Sequence, residues 1–254
     1  MKEASCWAEP AIDIENYYPQ KGREKFTEPL IIVDPVDKNR NVAAVVSSTS
    51  LWRFSLSCRQ FLQSPSKKFF FWEKVVQSKK KLESMIRKRN AEFLAIEFDA
   101  PDLVEDILWP QLRKSAGAIL NFLKFLEFEP LGHYFWSDGK KCVIFIEFLV
   151  YSLPAIKKIP GPKASMAADT EKFISAHKNA LNLHIEHERI VAIEHRVIQN
   201  AAQGALIAVK EPIKCGIPEN FAKKMEKAKF LGIKKLLGKR YLGFVSDYYT
   251  RQIE

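Results

Sequence analysis

Residues 92–150 constrain the fold of this 254-residue chain more than any other stretch. They begin with an alternating segment, residues 92–98, that is typical of a β-strand. Apolar residues then recur at helical spacing over residues 103–126. Two further β-rich segments follow, residues 132–136 and 141–150, and the Ser-Asp-Gly-Lys sequence between them favours a hairpin. The order of strand, helix, strand and strand predicts a compact α+β unit of about 60 residues.

The helical part of this unit has a charge order that suits the helix dipole. Acidic Asp102, Glu105 and Asp106 stand at its start, and Lys124 stands near its end. Pro110 is expected to kink the helix or to begin a second one, because a proline inside a helix removes one hydrogen bond and clashes with the preceding turn.

A second informative stretch, residues 29–48, predicts a strand followed by a polar corner. Its apolar run over residues 30–33 is typical of a buried strand, and the Asp-Pro step at Asp34 forces a turn. We interpret Asp34 and Asp37 as turn-building residues rather than a metal-binding pair, with Asp37 available to order Lys38 or Arg40. From pattern alone, the corner is also compatible with an ordinary loop of solvated charges.

The corner sequence DPVDKNRNVAA resembles a signature of the archaeal-type (class I) CCA-adding enzymes, which are tRNA nucleotidyltransferases. Two later blocks are similar to the same family in the same order: PDLVEDILWPQL at residues 101–112 and the Gly161-Pro162 step. The lead-in also resembles the family, through Trp7, residues 12–15, Arg23 and Phe26. This resemblance covers residues 4 to about 200, and the remaining C-terminal stretch is less family-like.

The resemblance implies an α+β protein with a mixed or antiparallel sheet. It implies a body domain that holds an inserted strand-helix-strand-strand tail subdomain and ends in helices. We expect the end of a preceding domain at residues 1–28, the first part of the body at 29–91 and the tail subdomain at 92–156. The second part of the body, with the C-terminal basic helices, is expected at 157–254.

The family's catalytic head, with a Gly-Ser loop and metal-binding carboxylates, normally precedes the region that this chain resembles. No such motif occurs here, so we expect no catalytic residue in the chain and a natural sequence that continues upstream of Met1. The complete enzyme would use magnesium with CTP and ATP to add C, C and A to the tRNA 3′ end. This chain alone is predicted to be inactive, to bind no cofactor, and to hold the acceptor stem and T-arm of tRNA.

The charge of the chain is compatible with that partner. Its formal charge of +10 and pI near 9.3 favour a polyanionic ligand, although an ordinary basic protein would share them. We predict backbone contacts to RNA from cations of the corner, of a basic amphipathic segment at residues 79–89, and of a Pro-Gly-Pro linker at residues 157–163. Each group could instead form a solvated surface. The predicted RNA-binding residues are Lys38, Arg40, Lys80, Arg87, Lys88, Lys157 and Lys158.

An aromatic segment at residues 67–72, KKFFFW, admits two interpretations. Its lysines and rings could grip phosphate and stack a base. More often such a cluster belongs to a core that the lysines merely edge, and we favour the core. The preceding residues 50–62 have helical spacing, with Ser50 as a possible cap and the Ser-Pro step at residues 64–65 as a stop.

Three histidines raise the question of a metal site. His184, His187 and His195 lie near Glu186 and Glu188, but the spacing is not H-E-x-x-H. Because neighbouring strand residues alternate between faces, His184 and His187 would diverge, and a solvated polar hairpin over residues 181–197 is the preferred interpretation.

Residues 218–254 predict two basic amphipathic helices, broken at Gly232 or Gly238, that pack against the domain. Membrane-surface binding or RNA-backbone contact is also compatible with the pattern. No apolar stretch is long enough to span a bilayer.

The four cysteines (Cys6, Cys58, Cys142 and Cys215) form no paired motif, which fits a reducing compartment and a cytoplasmic location. A homodimer is possible.

Acyl transfer, P-loop phosphate binding and dinucleotide binding lack their usual motifs in this chain. Two alternatives to the CCA-adding interpretation remain. The chain could be a non-enzymatic RNA-binding protein, or a fragment of another nucleotidyltransferase of the poly(A) polymerase superfamily.

Overall fold

The computed structural model describes residues 10–71 and 76–250. They form two compact units, one within the first range and one spanning Val76–Tyr249, and each unit is described by itself. The predicted α+β class is confirmed, because both helices and antiparallel sheets build the described part of the chain. The division into segments 1–28, 29–91, 92–156 and 157–254 stays a prediction. No helix in the described ranges has the length and apolar character needed to cross a membrane.

The helices and strands are numbered in chain order. The helices are α1 (Ser48–Gln63), α2 (Lys79–Arg89), α3 (Glu105–Phe125), α4 (Ala167–Ala176), α5 (Ala201–Lys210), α6 (Glu219–Met225), α7 (Ile233–Leu236) and α8 (Leu242–Tyr249). The strands are β1 (Ala11–Ile12), β2 (Ile31–Ile32), β3 (Phe93–Asp99), β4 (Glu129–Ser137), β5 (Lys141–Val150), β6 (Ile156–Lys163), β7 (Asn182–Glu186), β8 (Arg189–His195) and β9 (Lys229–Phe230).

The first unit is held by a short parallel pair, β1 with β2, and by the corner that follows β2. The strand predicted over residues 30–33 is therefore shorter than expected, although Ile31 and Val33 are buried. The side chain of Asn41 bonds backbone groups at and beside the short strand β2. It accepts from Ile32 N at 2.9 Å and donates to Leu30 O at 3.0 Å. The Asn41 side chain, together with the backbone bridge between Val33 and Asn41, thus ties the corner to the strand.

Helix α1 begins earlier than predicted. Its cap is Ser47 rather than Ser50, because the Ser47 hydroxyl accepts from Ser50 N at 3.1 Å. The helix ends before the Ser-Pro step, as predicted.

The second unit is centred on a four-stranded antiparallel sheet in the order β4-β5-β3-β9. The predicted strand-helix-strand-strand order and the β4-β5 hairpin are confirmed, with Gly139 at φ +79° in the turn. Helix α3 runs unbroken through Pro110, so the second helix that we had allowed for does not form. Its buried residues Leu112, Ile119 and Leu123 pack on one face of the sheet, where α5 and α6 also contribute to the core.

The other face of the same sheet is also covered. Leu82 of α2, Leu236 of α7 and Phe244 of α8 belong to a second core cluster with Phe145 of β5. The prediction of two basic helices over residues 218–254 was wrong in detail. The described part of this segment forms three short helices and β9, which pairs with β3. Most of its large apolar residues lie in the core, although Phe230 is 40% exposed.

Residues 157–163 are not a linker. They belong to β6, an edge strand of a three-stranded sheet in the order β6-β8-β7. The prediction failed because an edge strand tolerates prolines, whose missing N–H groups face away from the neighbouring strand or fall at a bulge. The register indeed shifts between Pro160 and Lys163. The predicted β7-β8 hairpin is confirmed, with His187 at φ +53° in its two-residue turn.

Candidate nucleic-acid interface

Helix α2 is well capped at both ends. The Ser78 hydroxyl accepts from Lys81 N at 3.4 Å, and Asn90 closes the helix in the left-handed conformation at φ +48°. The last turn carries three cations, which the helix dipole stabilises. One side of α2 is fixed to the core by the fully buried Leu82. The predicted helix with one apolar side is therefore confirmed.

The opposite side of α2 presents exposed cations. Lys80, Arg87 and Lys88 line one shallow surface depression together with Glu83 and Ser84. These positions share a helix face because they lie three, four and seven residues apart. Among the described residues, Lys80, Arg87 and Lys88 have no ion-pair partner. They extend over about 12 Å at ~1.5 Å per residue, and their charge is available to an external anion.

Arg89, the next cation of α2, has a structural role instead. Its Nη1 donates to Glu147 Oε2 at 2.8 Å, and its guanidinium stacks over the Tyr249 ring at 4.7 Å. Glu147 is fully buried and also accepts from the hydroxyls of Tyr248 at 2.7 Å and Tyr249 at 3.3 Å. Burial and the bond to Glu147 raise the pKa of Tyr248, so it stays a neutral donor. This cluster holds α2 against β5 and α8.

A second buried carboxylate lies on the same sheet face. Glu97 of β3 accepts from Lys235 Nζ at 3.1 Å and from the hydroxyl of Tyr241. Burial opposes its ionisation, but the bonds from Tyr241 and Lys235 outweigh burial and lower the pKa of Glu97. Sequence reasoning did not identify Glu97 and Glu147 as buried carboxylates. The sequence does contain a signal for Glu147. It is the one charged residue within the apolar run 142–150, which indicates a buried carboxylate.

The lysines of β6 are less available than those of α2. Lys157 Nζ lies 3.7 Å from Glu194, and Lys158 forms an ion pair with Glu186. The bond from Lys158 lowers the pKa of Glu186, so this partner stays ionised at neutral pH. Lys157 and Lys158 remain predicted RNA contacts, but an RNA phosphate would have to compete with glutamates already in place.

The corner of the first unit is ordered by its aspartates, as predicted. Asp34 accepts from Val36 N at 2.9 Å, and this bond lowers the pKa of Asp34. Asp37 accepts from Asn39 N at 2.9 Å. Arg40 N donates to Asp37 O at 2.9 Å, so Asp37 orders Arg40 through its backbone, while the Arg40 side chain pairs with Asp34 at 3.7 Å.

Both predicted contacts of the corner are accessible. The Arg40 side chain is 69% exposed and lines a surface depression with Asp37 and Asn39. Lys38 is exposed, and its carbonyl accepts from the Tyr18 hydroxyl at 2.8 Å. Lys38 and Arg40 belong to the first unit, whereas Lys80, Arg87 and Lys88 belong to the second.

The aromatic segment at residues 67–72 is not the core cluster that we favoured. Phe70 and Phe71 are each 70% exposed, and Trp72 lies outside the described residues. The prediction failed because the unit is small and its short strands bury few side chains.

The described residues contain no group of three His, Cys, Asp or Glu side chains that could hold a metal ion. His184 instead contacts Asn182 at 3.2 Å and lies 3.7 Å from Glu186. His177, which sequence reasoning passed over, bonds Glu194 at 2.6 Å.

The fold and this surface define an α+β protein with antiparallel sheets and a cationic helix face. Two family descriptions match the chain: "CCA-adding enzyme, C-terminal domain" over residues 89–230, and "tRNA nucleotidyltransferase, second domain" over residues 1–71. The chain therefore belongs to the archaeal-type CCA-adding enzyme family, and the resemblance noted from its motifs is confirmed.

Three curated relatives show how far the similarity extends. The CCA-adding enzyme of Methanosarcina mazei is 35% identical over 201 residues, which are 77% of this chain and 43% of that protein. The enzyme of Archaeoglobus fulgidus is 31% identical over 206 residues, 80% of this chain and 46% of that protein. The enzyme of Methanocaldococcus jannaschii is 36% identical over 155 residues, 61% and 33% respectively. The chain thus spans less than half the length of these relatives.

Proposed function

We propose that this chain is the tRNA-holding part of a CCA-adding tRNA nucleotidyltransferase. It would bind the acceptor stem and T-arm by shape and phosphate charge. The chemistry would take place in the portion of the relatives that this chain does not cover, where CTP, ATP and magnesium would be used. The observation that carries the proposal is the cationic face of α2. Its Lys80, Arg87 and Lys88 are exposed, unpaired within the described residues, and carried on a helix that the buried Leu82 anchors to the core.

A rigid cationic face suits this role for a physical reason. A basic surface that is anchored by packing meets a phosphate backbone with little further loss of conformational entropy. Phosphate contacts position a nucleic acid without reading its sequence, as an enzyme for many different tRNAs requires. Positioning also contributes to rate, since misplacing a nucleophile by about 1 Å can cost about a hundredfold.

The proposal is tested by binding and by chemistry. We expect the 254-residue chain to bind a minihelix made of an acceptor stem and T-arm more tightly than a linear RNA duplex of equal charge. Incubated with the minihelix, CTP, ATP and magnesium, the chain is expected to add no nucleotide. Nucleotide addition would contradict the division of labour. Equal affinity for both RNAs would favour a generic RNA-binding protein.

The predicted homodimer is tested separately, by measuring the mass of the chain in solution with light scattering.

A further inference from the structure

A short turn in the first unit exposes two aromatic rings side by side in sequence. Lys67–Phe69 form one turn of 3-10 helix, and Phe70 and Phe71 follow it with 70% of each residue exposed. Exposing two large rings forgoes the stabilisation that burial would give, about 1.5–3 kcal/mol for a phenylalanine side chain. Adjacent exposed rings are therefore typical of a binding surface.

The turn that carries these rings is held in place. Phe70 N and Phe71 N both donate to Lys67 O, at 3.0 Å and 3.1 Å. Phe61 of α1 contacts Phe69 and Phe70 edge to face, with ring centroids 5.7 Å and 5.3 Å apart and interplanar angles of 83° and 84°. Such a contact fixes the Phe70 ring and leaves the rest of it open to solvent. The Phe70 ring is thus preorganised for a flat ligand, and the backbone of Phe71 is held beside it by the bond to Lys67 O.

The sequence that leads up to the turn carries charge of one sign. Residues 38–71 contain cations but no aspartate or glutamate, whereas the whole chain has 40 cationic and 30 acidic residues. The cations in this stretch are Lys38, Arg40, Arg53, Arg59, Lys67 and Lys68. Lys67 and Lys68 are exposed, and neither has an ion-pair partner in the part of the chain that the structure describes. Lys68 Nζ lies 5.3 Å from the centroid of the Phe69 ring.

We propose that residues 67–71 form a stacking platform for unpaired nucleotides of an RNA strand. Phe70 and Phe71 stack bases, while Lys67 and Lys68 contact the flanking phosphates. Cations beside open aromatic rings are the combination that binds single-stranded nucleic acid without sequence preference. An apolar protein partner would use the rings but would not need the exposed Lys67 and Lys68 beside them. The inference rests on the proposed function only in taking RNA as the ligand.

The test compares single-stranded and fully paired RNA. Fluorescence anisotropy measures binding of a labelled oligouridylate of about 12 nucleotides, within the usual site size, and of a blunt-ended minihelix with no unpaired end. The Phe70→Leu/Phe71→Leu variant keeps apolar side chains but removes the stacking surface. We expect it to bind the oligouridylate about 25-fold more weakly, since stacking on one ring is worth about fivefold or more. Its affinity for the blunt minihelix should not change.

A matched control is available elsewhere in the chain. Phe125 is 81% exposed and ends α3 in the second unit, and Phe125→Leu should leave both affinities unchanged. Lys67→Gln/Lys68→Gln should flatten the salt dependence of oligouridylate binding, by about 0.7 in log–log slope for each contact. Circular dichroism spectra matching wild type would show that each variant is folded.

The outcomes separate this inference from the proposed function. Unchanged oligouridylate affinity in the Phe70→Leu/Phe71→Leu variant would overturn the platform, as would an equal loss in Phe125→Leu. A change in self-association with RNA binding intact would also overturn it, because it would identify the rings as a protein interface. If wild type binds oligouridylate through these rings but fails to bind the minihelix, the platform stands and the proposed function fails.

Discussion

Replacing Glu147 with glutamine should destabilise the second unit without changing side-chain volume. Glu147 is fully buried and accepts hydrogen bonds from Arg89, Tyr248 and Tyr249. In Glu147→Gln the amide has one oxygen for these three donors, and its NH₂ group must face one of them. The variant therefore loses a charge-assisted bond and leaves a buried donor unsatisfied.

The expected cost follows from these two losses. A hydrogen bond to a charged group contributes about 1.5–3 kcal/mol, and an unsatisfied buried donor costs about 1–3 kcal/mol. The Arg89 side chain is 39% exposed, so water can replace part of its lost bond, and the lower end of the first range applies. We expect Glu147→Gln to lower the free energy of unfolding by about 3 kcal/mol.

Urea denaturation followed by circular dichroism measures this change. Glu188→Gln is the matched control, because Glu188 forms an exposed ion pair with Lys163 at 3.0 Å. The control should change the free energy of unfolding by less than about 0.5 kcal/mol. If Glu147→Gln were as mild as the control, the claim that Glu147 joins α2 to β5 and α8 would be refuted.

Two further predictions concern packing and pH. Gly161→Ala should destabilise the three-stranded sheet by about 1–3 kcal/mol, because the added Cβ would lie 2.8 Å from Ile190 Cγ2 and 3.0 Å from Ile190 O; thermal denaturation of the variant checks this. Acid should weaken the fold partly through Glu97. Its pKa is lowered in the folded chain, so its contribution is present above the ordinary value of 4.5 and is lost as the pH falls below it. Urea titrations of Glu97→Gln should therefore show a flatter loss of stability below pH 4.5.

Local sequence patterns correctly predicted the helices and strands that turn residues and apolar spacing specify. The β4-β5 hairpin follows from a Ser-Asp-Gly-Lys turn, and α3 follows from apolar residues at helical spacing. The amphipathic character of α2 likewise placed Lys80, Arg87 and Lys88 on a shared exposed face.

Features that depend on contacts between distant parts of the chain could not be predicted from local sequence patterns. Glu97 lies in an alternating strand, where a charged residue predicts a solvent-facing position, yet Tyr241 covers it from a segment more than a hundred residues later. For the same reason the Pro-Gly-Pro step seemed to be a linker, although pairing with β8 makes it part of an edge strand. Phe70 is the opposite case, because its apolar sequence context favours burial and yet 70% of the residue is exposed.

The salt dependence of minihelix binding tests the central claim, that the α2 face grips the RNA backbone, most directly. The variant Lys80→Gln/Arg87→Gln/Lys88→Gln is compared with a control of equal charge, Lys114→Gln/Lys172→Gln/Lys178→Gln, whose lysines are exposed on or beside α3 and α4. Each phosphate contact adds about 0.7–0.9 to the log–log slope of affinity against salt. The account predicts that the α2 variant loses about 2–3 from that slope while the control keeps the wild-type value. Equal slopes for the two variants would contradict it.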